Sequence, residues 1–145
     1  MATLDDLYYP KMVTQIKKVI QTVYYKTNEI FKDSLFEHNT HEWRNDTYQK
    51  LIRVVKELEA NREIYEGDVI CSILNNPTST IDSGLKIIDI KMKMGLSMEF
   101  IEIHIEQRKT GLHFYVTINR PYNVQDRRVT IDWTPKESTT QETEQ

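Results

Sequence analysis

The hydrophobic period changes once along this chain, near Arg62, and that change limits the fold more than any motif does. Upstream, apolar residues recur at helical spacing. Met12, Ile16, Val19, Ile20, Val23, Ile30 and Phe31 fall largely on one stripe, while Lys11, Lys17, Lys18 and Lys26 fall mostly off it. The stripe predicts an amphipathic helix within Leu7 to Phe36 that starts after Pro10, a residue tolerated in a first turn. Glu37-His38-Asn39-Thr40 interrupts it. Asn39 followed by Glu42 has the spacing of a capping box, so Asn39 is the expected cap of a second helix from about His41 to Ala60. Its apolar side carries Tyr48, Leu51, Ile52, Val55 and Leu58.

Downstream of Arg62 the period is two residues. Val69, Cys71 and Ile73 alternate with Asp68, Ile70 and Ser72, which predicts a strand from about Tyr65 to Leu74. Asn75-Asn76-Pro77 and Ile81-Asp82-Ser83-Gly84 are turn signals. Ile88, Ile90, Met92 and Met94 then form one dry face, Ile101, Ile103 and Ile105 a second, and Leu112, Phe114, Val116 and Ile118 a third. Gly111, after Lys109-Thr110, gives the freedom for a tight hairpin between the last two. A short strand is expected at Val129 to Trp133, and the polar tail from Pro135 is expected to be disordered unless a partner holds it. The fold class implied is α+β: two N-terminal helices packed on one face of a mostly antiparallel sheet of about four to five strands. The 145 residues suit one domain, 11–119, with an N-terminal arm at 1–10 and a C-terminal arm and polar tail at 120–145.

Charge narrows the function classes. A formal net charge of -3 and a pI of about 5.8 argue against a generic nucleic-acid binder. No stretch is long and apolar enough to span a membrane, and Met1 to Asp6 lacks the basic cluster of a signal peptide. The single cysteine, Cys71, reads as a small buried hydrophobe, not a nucleophile. His38 and His41 stand beside Glu37 and Glu42 but lack the i, i+4 spacing of a helical zinc pair, so no metal site is expected. His104 and His113 fall on wet faces of adjacent strands and read as a surface pair of cross-strand neighbours. Glu102 and Glu106 share the wet face with His104, which suits a solvated edge better than acid–base catalysis; Glu99 points the other way. With 4 glycines and no phosphate-cradling loop, no cofactor is expected, and the chain reads as a non-enzyme. Arg127 and Arg128, with Arg120 and Tyr122, make a small basic patch better suited to a protein partner than to nucleic acid. Of the pairs Tyr8-Tyr9 and Tyr24-Tyr25, one member each is expected in the core and the other exposed, as at an interface.

Several features fall in a definite order. Leu35-Phe36-Glu37-His38-Asn39 ends a helix, and Trp43 opens the next. Arg62-Glu63-Ile64-Tyr65 leads into the strand with Val69 and Cys71. Asn75-Asn76-Pro77, Ile81-Asp82-Ser83-Gly84, the strand Ile87 to Lys93 and Met98-Glu99-Phe100-Ile101-Glu102-Ile103-His104-Ile105 follow, then Gln107 and Thr110-Gly111. This order resembles the C-terminal domain of contractile phage tail sheath proteins, especially those of T-even-like phages, from about Leu35 to Gly111. The large preceding domains of sheath proteins are absent, Ser72 stands where the family usually has an acid, and Met94-Gly95-Leu96-Ser97 stands where a proline is common.

The resemblance implies a free-standing sheath-like subunit of the virion tail, assembled in the host cytoplasm: sheath-like, sheath-initiator, baseplate or neck component. Its implied partners are other copies in a ring of six and tail sheath, tail tube or baseplate proteins, joined by strand addition from terminal arms. Leu4 to Pro10 and Val129 to Trp133 are the candidate arms, and Tyr8, Tyr9, Asn75, Asn76, Asp82, Arg127, Arg128, Val129, Ile131 and Trp133 are the interface candidates. A small phage-encoded binding module acting on a host or defence protein is the alternative. An enzyme with a polar cavity between helices and sheet suits the chain less, because the dry faces are almost wholly aliphatic.

Overall fold

The computed structural model describes residues 10–32, 37–95, 100–108, 111–118 and 129–132. Helices α1 (Pro10–Lys32) and α2 (His41–Ala60) precede strand β1 (Glu66–Ile70), the single-turn helix α3 (Thr78–Asp82), and strands β2 (Lys86–Lys93), β3 (Phe100–Arg108), β4 (Gly111–Ile118) and β5 (Val129–Asp132). The strands lie in the order β1-β2-β3-β4-β5, every neighbour antiparallel. The chain therefore has the α+β architecture its pattern predicts.

The stripe on α1 is buried as spaced: Ile16, Val19, Ile20, Val23 and Phe31 are each 2% exposed or less. Tyr24 turns inward, its ring 4.7 Å from Phe114, and Tyr25 faces solvent. Leu51, Val55 and Leu58 of α2 join the same core, with Tyr48 and Ile52 at its margin. Against both helices lie Val69, Ile88, Ile90, Met92, Ile101, Ile103, Ile105, Phe114 and Val116 from one face of the sheet. Each such side chain contributes about 1.5–3 kcal/mol by leaving water, which is what holds helices to sheet.

Two local expectations are corrected. The cap of α2 is Thr40, whose hydroxyl accepts from Trp43 N at 3.1 Å, not Asn39, whose amide is drawn into the interior. Strand β1 stops at Ile70 instead of Leu74, because Asn75 Oδ1 takes the Ser72 N–H at 3.0 Å and bends the chain away. Ile73, which shares the alternation of buried Val69 and Cys71, is thereby 67% exposed. The signal at Ile81 to Gly84 is met by a turn at Ser83 and Gly84 that closes α3, with Gly84 at φ 83.

Helix α2 ends where Arg62 N–H donates to Glu59 O and Glu63 N–H to Leu58 O, at 3.0 and 2.9 Å. This pattern asks for a left-handed residue, and Arg62 supplies it with φ 60. Gly67 then lets β1 lie close to α2: a Cβ there would stand 2.7 Å from Val55 Cγ1. Gly111, at φ 126, pairs with Arg108 at the root of the expected hairpin.

Candidate functional site

Two polar networks are built on this frame, one inside and one on the open face. The inner one joins residues from three separate stretches. Asn76 is fully buried. Its Nδ2 donates to Ile87 O at 2.8 Å and to Ser72 O at 3.1 Å, and its Oδ1 accepts from Ile87 N at 2.9 Å and from Asn39 Nδ2 at 2.9 Å. Asn39 also donates to Leu85 O at 2.9 Å, and its Oδ1 accepts from Arg44 Nη1 at 2.7 Å. By the register of β1 with β2, Ser72 would stand opposite Ile87 if the strand continued. The Asn76 carboxamide, which offers one donor and one acceptor side by side like a peptide, fills that place in the ladder. Beside it, Lys86 Nζ lies 4.9 Å over the Trp43 ring, and Trp43 in turn packs edge-on against Phe31.

The outer network crosses the sheet face that the helices leave open. Register aligns Ile70, Asp89, His104, Tyr115 and Asp132, one residue from each strand. His104 Nδ1 lies 2.6 Å from Asp89 Oδ1, and Nε2 lies 2.8 Å from Glu106 Oε2. Asn75 Nδ2 donates to Asp89 Oδ2 at 2.8 Å, and Arg108 Nε donates to Glu106 Oε1 at 2.8 Å. A continuous chain thus runs from the loop after β1 to the end of β3. The hydrogen bond to Asp89 raises the pKa of His104; partial burial opposes this, and Glu106 adds to the rise. Burial pushes both carboxyls up, but hydrogen bonds from His104 and Asn75 leave Asp89 below its ordinary value, and those from His104 and Arg108 do the same for Glu106.

The β1 edge carries a third device. Gly67 N–H donates to Glu59 Oε2 at 2.8 Å, Lys56 Nζ stands 3.5 Å from Gly67 O, and Val69 N–H donates to Asp68 Oδ1 at 2.8 Å. Three backbone groups of this strand, Gly67 N–H, Gly67 C=O and Val69 N–H, are therefore already engaged by side chains.

Chemically, these arrangements hold and link; they do not present a nucleophile. Burial pushes the Cys71 thiol up to about 12, so it stays protonated and inert. Both ring nitrogens of His104 are occupied by carboxylates. Among the described residues no group of three or more His, Cys, Asp or Glu side chains is arranged to hold a metal ion. No helix of the described residues is long and apolar enough to cross a membrane.

No family model matches this chain, and no curated protein or solved structure matches it either.

The structure distributes the interface candidates unevenly. Asn75 and Asn76 stand together after β1, but Asn76 is sealed inside, so its side chain is no interface group; it is the missing rung of the sheet. Asp82 is exposed at the end of α3. Val129 and Ile131 lie in β5, in register with Ile118 and Val116 of their own sheet. Tyr8, Tyr9, Arg127, Arg128 and Trp133 lie outside the described residues, as do the candidate arm before Pro10 and the polar tail. His104 and His113 are not directly opposed: His104 faces Tyr115 and His113 faces Glu106. Asp89 went unnoticed in the sequence. Alternation puts it on the wet face, but its pairing with His104 depends on register, which alternation does not fix.

Proposed function

We propose that this chain is a non-enzymatic structural subunit of a phage-type contractile tail, a sheath-like, sheath-initiator, baseplate or neck component that joins its neighbours by strand addition. One observation carries the reading. Asn39 and Asn76, from two of the ordered motifs that carry the sheath resemblance, meet across 37 residues in one buried hydrogen bond, and Trp43, from a third, packs beside them. The three motifs thus meet in one interlocked unit, a placement that suits an architectural role better than a catalytic one. Among the described residues the sheet ends in two edge strands, which supports strand addition, and the inert thiol and doubly occupied imidazole fit a part that bears load without chemistry.

The test is direct. Tail particles are purified from lysates of cells producing them, probed with gold-labelled antibody to this chain, and the full chain is sized by light scattering. Labelling at one tail position, with ring-sized oligomers, is the expected result. A monomer absent from particles that instead captures a host protein sinks the proposal.

A further inference from the structure

From the placement of both imidazole nitrogens against carboxylate oxygens, we infer that His104 is a proton-operated clasp: its imidazolium ties Asp89 to Glu106 across the open face, and loss of the proton releases the Glu106–Arg108 arm at the root of the β3–β4 hairpin. The inference concerns this chain alone and stands whether or not the chain serves a tail.

The argument is one of donors. A neutral imidazole has a single N–H and serves one carboxylate only. Here Asp89 Oδ1 and Glu106 Oε2 approach opposite nitrogens at 2.6 and 2.8 Å, so both nitrogens must donate, and the ring must be charged. When the proton leaves, one carboxylate faces a nitrogen lone pair at hydrogen-bond distance and must withdraw. The shorter contact, to Asp89, keeps the remaining N–H. Asp89 is also anchored from behind by Asn75, which is itself fastened to Ile70 O at 2.7 Å and to Ser72 N at 3.0 Å. Among the described residues Glu106 has no such anchor: its other partner, Arg108, sits at the exposed end of β3. Neutral His104 is therefore held as the Nδ1–H tautomer, the reverse of the usual preference in water.

Other charges face this row. Lys91 lies beside Asp89 on β2, with Asp68 opposite Lys91 on β1; Glu102 neighbours His104 on β3; His113 and Tyr115 face Glu106 and His104 from β4; and Asp132 of β5 is in register with Tyr115. The four linked side chains carry two negative and two positive charges with the proton on. They carry one net negative charge with it off, so the open face passes locally from neutral to negative as well as changing shape. The raised pKa of His104 places the change on the alkaline side of an ordinary histidine.

The experiment is a histidine ring titration by long-range proton–nitrogen NMR on the full chain, with a free histidine peptide as reference, in wild type, Glu106→Gln and His113→Gln. Wild-type His104 is expected to remain imidazolium past the midpoint of the peptide and then convert to the Nδ1–H form. Glu106→Gln lowers its midpoint while leaving that tautomer, and His113→Gln leaves both as they are. Arg108 side-chain signals are expected to sharpen as His104 deprotonates. A His104 midpoint at or below that of the peptide, a neutral Nε2–H form, or a midpoint that follows His113 overturns the inference.

Discussion

Replacing Asn76 with alanine removes the side chain that completes the sheet ladder beyond Ile70. The Ile87 N–H and C=O point toward the place that β1 has vacated, and both lose the Asn76 carboxamide. Asn39 Nδ2 keeps Leu85 O, so its loss is smaller. An unsatisfied buried backbone group costs about 1–3 kcal/mol; Ile87 N–H is left unsatisfied and Ile87 O keeps only the long Asn75 Nδ2 contact at 3.5 Å, so the pair costs about 2–5 kcal/mol. Entry of a water into the space left reduces this, and about 3 kcal/mol is the expected outcome. A domain of this size holds only about 5–15 kcal/mol in all, so the variant stays folded but sits near its limit. Urea unfolding followed by far-ultraviolet circular dichroism measures it, with Asp82→Ala, at an exposed site, as the control expected within about 0.5 kcal/mol of wild type. Asn76→Asp separates the two halves of the amide: it keeps the acceptor for Ile87 N–H but sets an anion against Ile87 O, and so is expected to be no better than alanine. A loss below about 1 kcal/mol for Asn76→Ala, with an unchanged urea slope, refutes the ladder-rung argument.

Other perturbations follow from single contacts. Gly67→Ala puts a methyl 2.7 Å from Val55 Cγ1 and 3.1 Å from Ile64 Cδ1, and is expected to cost about 1–3 kcal/mol in the same urea assay. Arg62→Gly relieves a left-handed φ of 60 and is expected to raise stability by up to about 1 kcal/mol, read as an upward shift of the melting temperature. Cys71, buried with its pKa pushed up to about 12, is expected to resist a thiol reagent in native buffer and to react at once in denaturant; fast native reaction contradicts the burial. The paired variant Lys56→Ala, Glu59→Ala strips the β1 edge and is expected to raise light scattering with protein concentration, whereas unchanged scattering means that the edge is not guarded by these side chains. Stability is expected to fall on both sides of neutrality. The raised His104 pKa gives a contribution that is complete below the ordinary histidine value and lost as pH rises through the folded one. The lowered Asp89 and Glu106 values give contributions present above ordinary carboxylate values and lost as pH falls through the folded ones. Urea midpoints against pH check both limbs, and His104→Gln should remove the alkaline one.

What the residues reveal by themselves depends on how local the deciding force is. The α2 limits and the dry faces of β2, β3 and β4 were legible because burial acts on every residue of a period, and the period survives any choice of register. The end of β1 was not. Val69, Cys71 and Ile73 keep alternating on paper, yet one amide at Asn75 diverts the chain after Ile70. The cap of α2 failed for a similar reason. Asn39 and Thr40 are both good caps, and the choice between them was made by Asn76, far along the chain. The clasp was half legible: His104 and Glu106 share a wet face by alternation, whereas Asp89 reaches His104 only through the β2–β3 register.

The two edges of the described sheet are not equivalent, and this bears on any assembly by strand addition. On β1 an incoming strand would have to take Gly67 N–H from Glu59 and Val69 N–H from Asp68, and push aside Lys56. Each exchange swaps one hydrogen bond for another while freeing a charged group, so little is gained for the entropy of docking a second chain. Those side chains act as guards of the kind edge strands use against unwanted pairing. Of the expected arm Val129 to Trp133, the residues Val129–Asp132 form the opposite border of their own described sheet, paired with Tyr115 to Ile118. Under the tail reading, a neighbour is therefore expected to join beyond β5 and not at the guarded strand. A cysteine at Thr130 in one copy, with the guard residues intact, tests this. Crosslinks that require β5 support it, and crosslinks that map to Gly67 and Val69 overturn it.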